Sequence, residues 1–268
     1  MGFQHVQLSK CTFSEPWMRS LLQKWDLSRG LQFQAFRYTK FYHRMAGLEM
    51  ALDLFNDPVF QSTFKIMIAD GWTSLAGHKV VHIDLENVPA TLTRMDIFDK
   101  VAGEVPAEAG GPDPPIVRSV GGQILQRLDD VRDGIPVNDN LREMLLCEES
   151  DNAGLYSDDE KSQLLWRCFE HLSLGGPCCQ NEDKLEPYLE AAKRCYKELV
   201  SVQRSSEGGL EVASTVFRIK GIQTEQEGGE SIPLFPRKAN LRNSFCYITM
   251  DPNTRLTRLL YHAYIPYW

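Results

Sequence analysis

The stretch that decides the fold runs from Ser157 to Val202 and reads SDDEKSQLLWRCFEHLSLGGPCCQNEDKLEPYLEAAKRCYKELVSV. Ser157 and Glu160 predict a helix start, because the hydroxyl can accept from a first-turn N–H while the carboxylate reaches back to the Ser157 N–H. Apolar residues then recur at helical spacing, namely Leu164, Leu165, Cys168, Phe169 and Leu172. Gly175-Gly176-Pro177 predicts the end of this helix, since glycine accepts left-handed dihedrals and proline cannot continue the ladder of hydrogen bonds.

A second helix is predicted after this connection. Pro187 suits a first helical turn. One apolar face follows, made of Leu185, Tyr188, Leu189, Ala192, Tyr196 and Leu199. Two amphipathic helices joined by a tight connection predict a helical hairpin, or a bent pair, packed on a core.

The composition is typical of a soluble globular protein, with 43% of the 268 residues hydrophobic and 24% charged. The net charge of −7 argues against a general nucleic-acid binder, which needs a basic field. No apolar run approaches the ~18 residues of a membrane span, and the first residues, with Lys10 and Glu15, lack the apolar run of a secretory signal. The cysteines are odd in number and irregularly spaced, which indicates reduced thiols in a cytosolic compartment. We therefore expect a cytoplasmic protein that binds neither nucleic acid nor membrane.

The order of predicted elements favours an α+β fold in one compact domain over residues 1–268. Mixed helices and strands come first: helices at Pro16–Trp25, Leu48–Phe55 and Met95–Val101, and strands at Phe3–Leu8, Gln32–Tyr38, Phe64–Ile68 and Lys79–Leu85. Two more helices are predicted at Ile124–Val131 and Asn140–Cys147, before the central helix pair. Antiparallel hairpins then follow at Val200–Arg204 with Leu210–Ile222, and at Phe245–Met250 with Arg255–Ile265. Residues 103–116 are predicted as a flexible Gly/Pro-rich loop, and residues 223–243 as a second loop.

One enzymatic hypothesis rests on His82-Ile83-Asp84. His-x-Asp with a distant histidine is the ligand pattern of non-haem iron oxygenases, and His262 would be that histidine. The residues after His262 include no arginine to bind an oxoacid cosubstrate. A hydrogen-bonded strand histidine beside a surface carboxylate is therefore the favoured interpretation.

A zinc site drawn from Cys168, His171, Cys178 and Cys179 lacks a Cys-x-x-Cys pair. Catalysis by Cys179 with His171 has no local signature to support it. We predict no catalytic residue, no metal and no cofactor.

Charges are unevenly distributed in the second half of the chain. An acidic belt over residues 143–160 contains Glu143, Glu148, Glu149, Asp151, Asp158, Asp159 and Glu160 without any Lys or Arg. A basic part over residues 237–258 contains Arg237, Lys238, Arg242, Arg255 and Arg258 against Asp251. Opposed charged faces suit electrostatically guided docking to proteins, although ordinary solvated surfaces explain them equally well.

The central stretch also resembles a known family. FEHLSLGGPCCQNED followed by PYLEAAKRCYKELVSV is similar to the signature region of the cilia- and flagella-associated protein 300 family. Further similar positions extend over nearly the whole chain: Trp25, Leu27, Gln34-Ala35-Phe36, Phe55, Asp57-Pro58, Asn87-Val88-Pro89, Ile116-Val117-Arg118, Leu141-Arg142, Leu145-Leu146, Ser214–Phe217, Asp251-Pro252 and Leu260-Tyr261-His262. Residues 103–115 are the clearest departure, and their Gly/Pro/Ala-rich composition would suit a green-algal flagellar member.

The resemblance implies a non-enzymatic factor needed to assemble the outer and inner dynein arms of the axoneme. Such a factor is expected in the cytoplasm and in the cilium or flagellum, which it enters with intraflagellar transport. Its expected partners are axonemal dynein subunits, other dynein arm assembly factors and the intraflagellar transport machinery. A stable structural component of the axoneme is the alternative.

Partner binding is expected near the central connection and on the charged faces. The candidate residues are His171, Gly175, Gly176, Gln180, Asn181, Glu182, Asp183, Tyr188, Glu148, Glu149, Arg255 and Arg258. The polar tail Gln180–Asp183 is the first of these places to test. Charge reversal at Glu182 and Asp183 is expected to weaken binding without lowering the melting temperature.

Overall fold

An antiparallel sheet of seven strands forms the centre of the fold in a computed structural model that describes residues 2–68, 71–225, 231–235 and 243–265. Its strands are β1 (Phe3–His5), β2 (Leu31–Tyr38), β5 (Lys79–Val88), β10 (Thr215–Glu225), β11 (Ser231–Phe235), β12 (Phe245–Asp251) and β13 (Leu256–His262). Across the sheet, β1, β2, β13, β12 and β10 lie side by side. β10 pairs with β5 along its other edge and with β11 beyond the end of β12.

Three smaller antiparallel pairs complete the strands: β3 (Lys65–Ile68) with β4 (Gly71–Ser74), β6 (Gln126–Arg132) with β7 (Ile135–Asp139), and β8 (Val202–Arg204) with β9 (Leu210–Val212). The helices are α1 (Pro16–Lys24), α2 (Gly47–Phe55), α3 (Pro58–Thr63), α4 (Asn140–Leu146), α5 (Asp158–Ser162), α6 (Leu164–Leu174) and α7 (Glu186–Leu199). The predicted α+β class is confirmed. In the part of the chain that the structure describes, no helix is both long and apolar enough to cross a membrane.

Helices cover both faces of the sheet, because its central strand is apolar on both. All residues of β12 are buried. Phe245 and Tyr247 belong to a cluster that also contains residues of α1, α4, α6 and α7. Cys246, Ile248 and Met250 point the other way, into a cluster with residues of α2, α3 and β3. Side chains that alternate between two buried layers explain why Phe245–Ile248 is apolar at every position.

The central helix pair is present, but its first member begins later than predicted. The capping box of Ser157 and Glu160 is formed, and it starts the short helix α5. Gln163 then has extended dihedrals and separates α5 from α6. The backbone N–H of Leu164 donates to the carbonyl of Pro89 instead of continuing the first helix. α6 and α7 pack together directly, with the Sγ atoms of Cys168 and Cys195 at 3.6 Å.

Several other elements differ from the prediction. The helix predicted over Ile124–Val131 is wrong, because this segment forms the exposed strand β6. The predicted hairpin partner 210–222 is two strands, β9 and β10, and only β9 pairs with β8. The predicted loop 223–243 contains the end of β10 and all of β11, while residues 226–230 and 236–242 lie outside the described residues. The third helix predicted around Met95–Val101 is one 3-10 turn, Asp96–Phe98.

The Gly/Pro-rich segment 103–116 contains a 3-10 turn at Ala107–Ala109 and otherwise lacks regular structure. Its second half is attached to the segment before α5 by Asn152, a buried side chain. The Asn152 amide accepts from the backbone N–H of Asp113 at 3.1 Å and donates to the carbonyl of Pro114 at 2.8 Å. The second half of the loop is therefore fixed to the body of the protein at Asn152.

Candidate partner-binding surface

The connection between α6 and α7, residues 175–185, lies against the end of α1 and the loop that follows it. The N–H of Gly176 donates to the Trp25 carbonyl at 2.8 Å, and the N–H of Gln180 donates to the Lys24 carbonyl at 2.9 Å. On its other side, the carbonyl of Asp183 accepts from the N–H of Ile124 at 2.9 Å. Hydrogen bonds on both sides satisfy its backbone groups and fix its path.

The two glycines of the connection are required by this close approach. Gly175 has φ 64° and ψ −162°, a backbone conformation that side chains rarely adopt. A Cβ atom on Gly175 would also lie 2.5 Å from the Sγ of Cys179. A Cβ atom on Gly176 would collide with the carbonyl oxygen of Asp26. Both glycines are buried, so the structure gives them a role in the turn rather than at the surface.

Glu182 attaches the connection to α1 through its side chain. Its Oε1 accepts from the indole Nε1 of Trp25 at 3.0 Å, and its Oε2 lies 2.8 Å from the Nζ of Lys24. The backbone N–H of Glu182 donates to the hydroxyl of Tyr188 at 2.9 Å. The Glu182 side chain is only 13% exposed. These contacts argue against the expectation that charge reversal at Glu182 leaves the melting temperature unchanged.

Arg142 of α4, which the sequence did not single out as a site residue, is buried and bonds to both α6 and α7. The Arg142 guanidinium donates to the Asp139 carboxylate at 2.6 Å, to the Ser173 carbonyl at 2.6 Å and to the Tyr188 hydroxyl at 2.8 Å. Arg142 and Asp139 are both fully buried. Burial raises the pKa of Tyr188 to about 12. Asp139 also caps α4 by accepting from the Arg142 N–H, so Asp followed three residues later by Arg was the available sequence signal.

His171 lies inside the protein and not on a surface. Its Nδ1 lies 2.7 Å from the Oδ1 of Asn243, and its Nε2 lies 2.8 Å from the hydroxyl of Tyr247. The Asn243 amide donates in turn to the carbonyl of Gly175 at 2.7 Å. Burial lowers the pKa of His171 to about 3, so the ring is neutral at physiological pH. This network connects the end of α6 to the sheet.

The residues of the iron-site hypothesis are not brought together. His82 is exposed on β5, whereas His262 is buried on β13, with its Nδ1 2.6 Å from the carbonyl oxygen of Asn243. Two strands, β10 and β12, separate β5 from β13, which corresponds to about 14 Å at ordinary strand spacing. The proposed zinc ligands are not clustered either: within the described ranges, no group of three or more His, Cys, Asp or Glu is arranged to hold a metal ion.

The remaining candidates differ in exposure. Gln180, Asp183, Glu148, Glu149 and Arg255 are exposed, and Asn181 and Arg258 are half-buried. Among these, the Asn181 amide donates to the Oδ1 of Asn138 at 2.7 Å. Gln180 and Asp183 therefore form the solvent-facing edge of a connection whose backbone is fixed, and we call them the polar edge.

The acidic belt is partly neutralised by cations from other segments. Glu143 pairs with Arg127 and Glu149 with Arg132, both from β6, and Glu160 pairs with Lys100. Glu148, Asp151, Asp158 and Asp159 are exposed and form no ion pair within the described part of the chain. Of the predicted basic part, Arg237, Lys238 and Arg242 lie outside the described residues.

Comparison with known proteins assigns the chain to a family. A sequence model of cilia- and flagella-associated protein 300 matches residues 1–262. The cilia- and flagella-associated protein 300 of Chlamydomonas reinhardtii is 43% identical over 97% of this chain and 96% of its own length. The protein of that name from Paramecium tetraurelia is 21% identical over 92% of this chain and 88% of its own. No solved structure shows significant similarity to the chain. The chain therefore belongs to the cilia- and flagella-associated protein 300 family.

Proposed function

We propose that this protein is a non-enzymatic adaptor for the assembly and ciliary transport of outer and inner axonemal dynein arms. The main support for this proposal is that nearly the whole chain matches a family of cilia- and flagella-associated proteins. The adaptor acts by binding axonemal dynein subunits, other dynein arm assembly factors and the intraflagellar transport machinery. It works in the cytoplasm and in the cilium or flagellum.

The geometry of the connection supports a binding role. Its backbone, its glycines and the Glu182 side chain hold its shape, whereas the side chains of Gln180 and Asp183 are exposed to solvent. A protein that binds through such an edge does not have to order it first, which lowers the entropic cost of association. The polar edge is therefore the proposed contact with a partner, and the unpaired acids of the acidic belt are the proposed source of long-range attraction.

Co-purification from ciliated cells tests the adaptor function. The tagged full-length chain is recovered from cytoplasm while cilia are growing, at low and at high salt. We expect axonemal dynein subunits or assembly factors to accompany it at low salt and to dissociate as salt screens the charged contacts. Recovery of the chain alone, at low salt and from such cytoplasm, would contradict the proposal.

Extraction of mature axonemes distinguishes the structural alternative. An assembly factor is expected to be scarce in axonemes and to be removed from them by high salt. A chain that is abundant in mature axonemes and resists high salt would instead be a stable structural component of the axoneme.

A further inference from the structure

An open groove of about 620 Å³ lies beside α7 and contains neither residue of the polar edge. Its floor is apolar and is formed by Leu165 of α6 with Tyr196 and Val200 of α7. One wall is the segment 92–95, and the other is the hairpin of β8 and β9. The volume lies within the range of about 300–1,000 Å³ that is usual for binding clefts.

Both walls are attached to the body of the protein. The Tyr196 hydroxyl donates to the carbonyl of Leu92 at 2.8 Å, which holds the first wall against α7. In the second wall, Val202 lies opposite Val212, and Val212 packs against the main core. Val202 is nevertheless 54% exposed, and Leu210, on the same face of the hairpin, is 61% exposed. The groove therefore has a fixed shape and an apolar wall that the fold leaves uncovered.

The rim of the groove is cationic although the whole chain is acidic. Arg94, Lys193 and Lys197 line the groove, and none of its lining residues is acidic. Within the residues that the structure describes, the Arg94 and Lys193 side chains form only long ion pairs, 3.9 Å to Asp96 and 3.7 Å to Glu190. Lys197 is exposed and has no ion-pair partner within the described ranges. The whole chain has a net charge of −7, yet this groove has three positive charges beside an apolar floor. A ligand that complements it is therefore both acidic and apolar.

We propose that this groove binds an acidic amphipathic segment of a partner protein. Apolar side chains on one face of the segment cover the exposed Val202 and Leu210, and Asp or Glu residues at its edges meet Lys193 and Lys197. Laying an amphipathic helix in an apolar groove is a recurrent mode of peptide recognition. The groove shares no residue with the polar edge, so this site is independent of the proposed contact with dynein assembly partners.

Selection from a peptide library tests the groove without assuming a partner. The full-length chain is used to select from random peptides of about 15 residues displayed on phage, a length near that of α7. We expect enrichment of sequences that combine several Asp or Glu residues with large apolar residues at helical spacing. Enrichment of basic peptides, or no enrichment, would overturn the proposal.

Binding of the selected peptides, synthesised with a fluorescent label, is then measured by anisotropy. Lys193→Glu/Lys197→Glu is expected to weaken binding by about tenfold or more through charge repulsion, and Leu210→Ser is expected to weaken it by removing the apolar wall. Arg37→Glu/Lys65→Glu is the matched control, because it makes the same change of net charge at exposed positions on other elements. Equal losses in the two charge variants would refute the location. Self-association that Lys193→Glu/Lys197→Glu abolishes would assign the groove to a second copy of this chain instead.

Discussion

Replacing Glu182 with alanine tests whether its side chain holds the connection on α1. Truncation leaves the indole N–H of Trp25 without its acceptor at 3.0 Å. Because Trp25 is fully buried, this costs about 1–3 kcal/mol. The ion pair with Lys24 adds no more than about 1 kcal/mol, since the Lys24 side chain is 38% exposed and screened by water. We expect the free energy of unfolding to fall by about 1–4 kcal/mol in total, which lowers the melting temperature by about 2–16 °C.

The assay is urea unfolding followed by tryptophan fluorescence, with the free energy extrapolated linearly to water. Asp183→Ala is the matched control: Asp183 is exposed, and we expect a change within about 0.5 kcal/mol. Glu182→Gln should retain most of the stability, because its amide oxygen can still accept from Trp25. If Glu182→Ala and Asp183→Ala cost the same, the side chain of Glu182 does not hold the connection and the reasoning is refuted.

Three further predictions concern the stability of the fold and the burial of its cysteines. Gly176→Ala should destabilise the protein by about 1–3 kcal/mol, measured by urea unfolding, because the added Cβ meets a backbone carbonyl that cannot rotate away. Burial lowers the pKa of His171 to about 3 and that of His262 to about 4, below an unfolded value of about 6.5, so stability is lost as pH falls below about 6.5. Below about pH 6.5, the free energy of unfolding falls by up to about 1.4 kcal/mol per pH unit for each histidine. An NMR titration that shows either ring titrating near pH 6.5 in the folded protein would contradict this. Under native conditions iodoacetamide should alkylate the exposed Cys178 first and the fully buried Cys246 only after unfolding, as peptide mass spectrometry can show.

Part of the fold was predictable because local signals agree with the tertiary structure. The α6–α7 pair has amphipathic periodicity in both helices, and glycines and a proline separate them. The break before α6 was not predictable, because tertiary contacts produce it. The Gln163 Oε1 accepts from the N–H of Thr91 at 3.1 Å, and Leu164 bonds to the Pro89 carbonyl.

The error at β6 has a different cause. Ile124, Leu128 and Val131 recur at helical spacing, which predicts a helix, although Asp133-Gly134 is a hairpin signal. Both residues have positive φ, 52° and 77°, as a two-residue hairpin turn between right-handed twisted strands requires. The Asp133-Gly134 dipeptide is therefore the local signal that predicts the hairpin of β6 and β7.

The sequence suggested the connection as a candidate site, but it did not predict the structural roles of the residues in it. Nothing local shows that Glu182 binds the indole of Trp25, which lies 157 positions away, or that the His171 ring bonds to Asn243, 72 positions away. These contacts depend on long-range packing. Sequence reasoning therefore grouped structural residues such as His171 with the exposed Gln180 and Asp183.

The central claim is that the polar edge binds dynein assembly partners, and one comparison tests it most directly. Gln180→Lys/Asp183→Lys and the control Gln4→Lys/Asp129→Lys make the same chemical changes at exposed positions. Each tagged variant is recovered at low salt from cytoplasm of cells growing cilia, and co-purified axonemal dynein subunits and assembly factors are quantified. We predict that the first variant loses most of these partners while both variants keep the wild-type melting temperature. Equal recovery of partners by the two variants would contradict the claim.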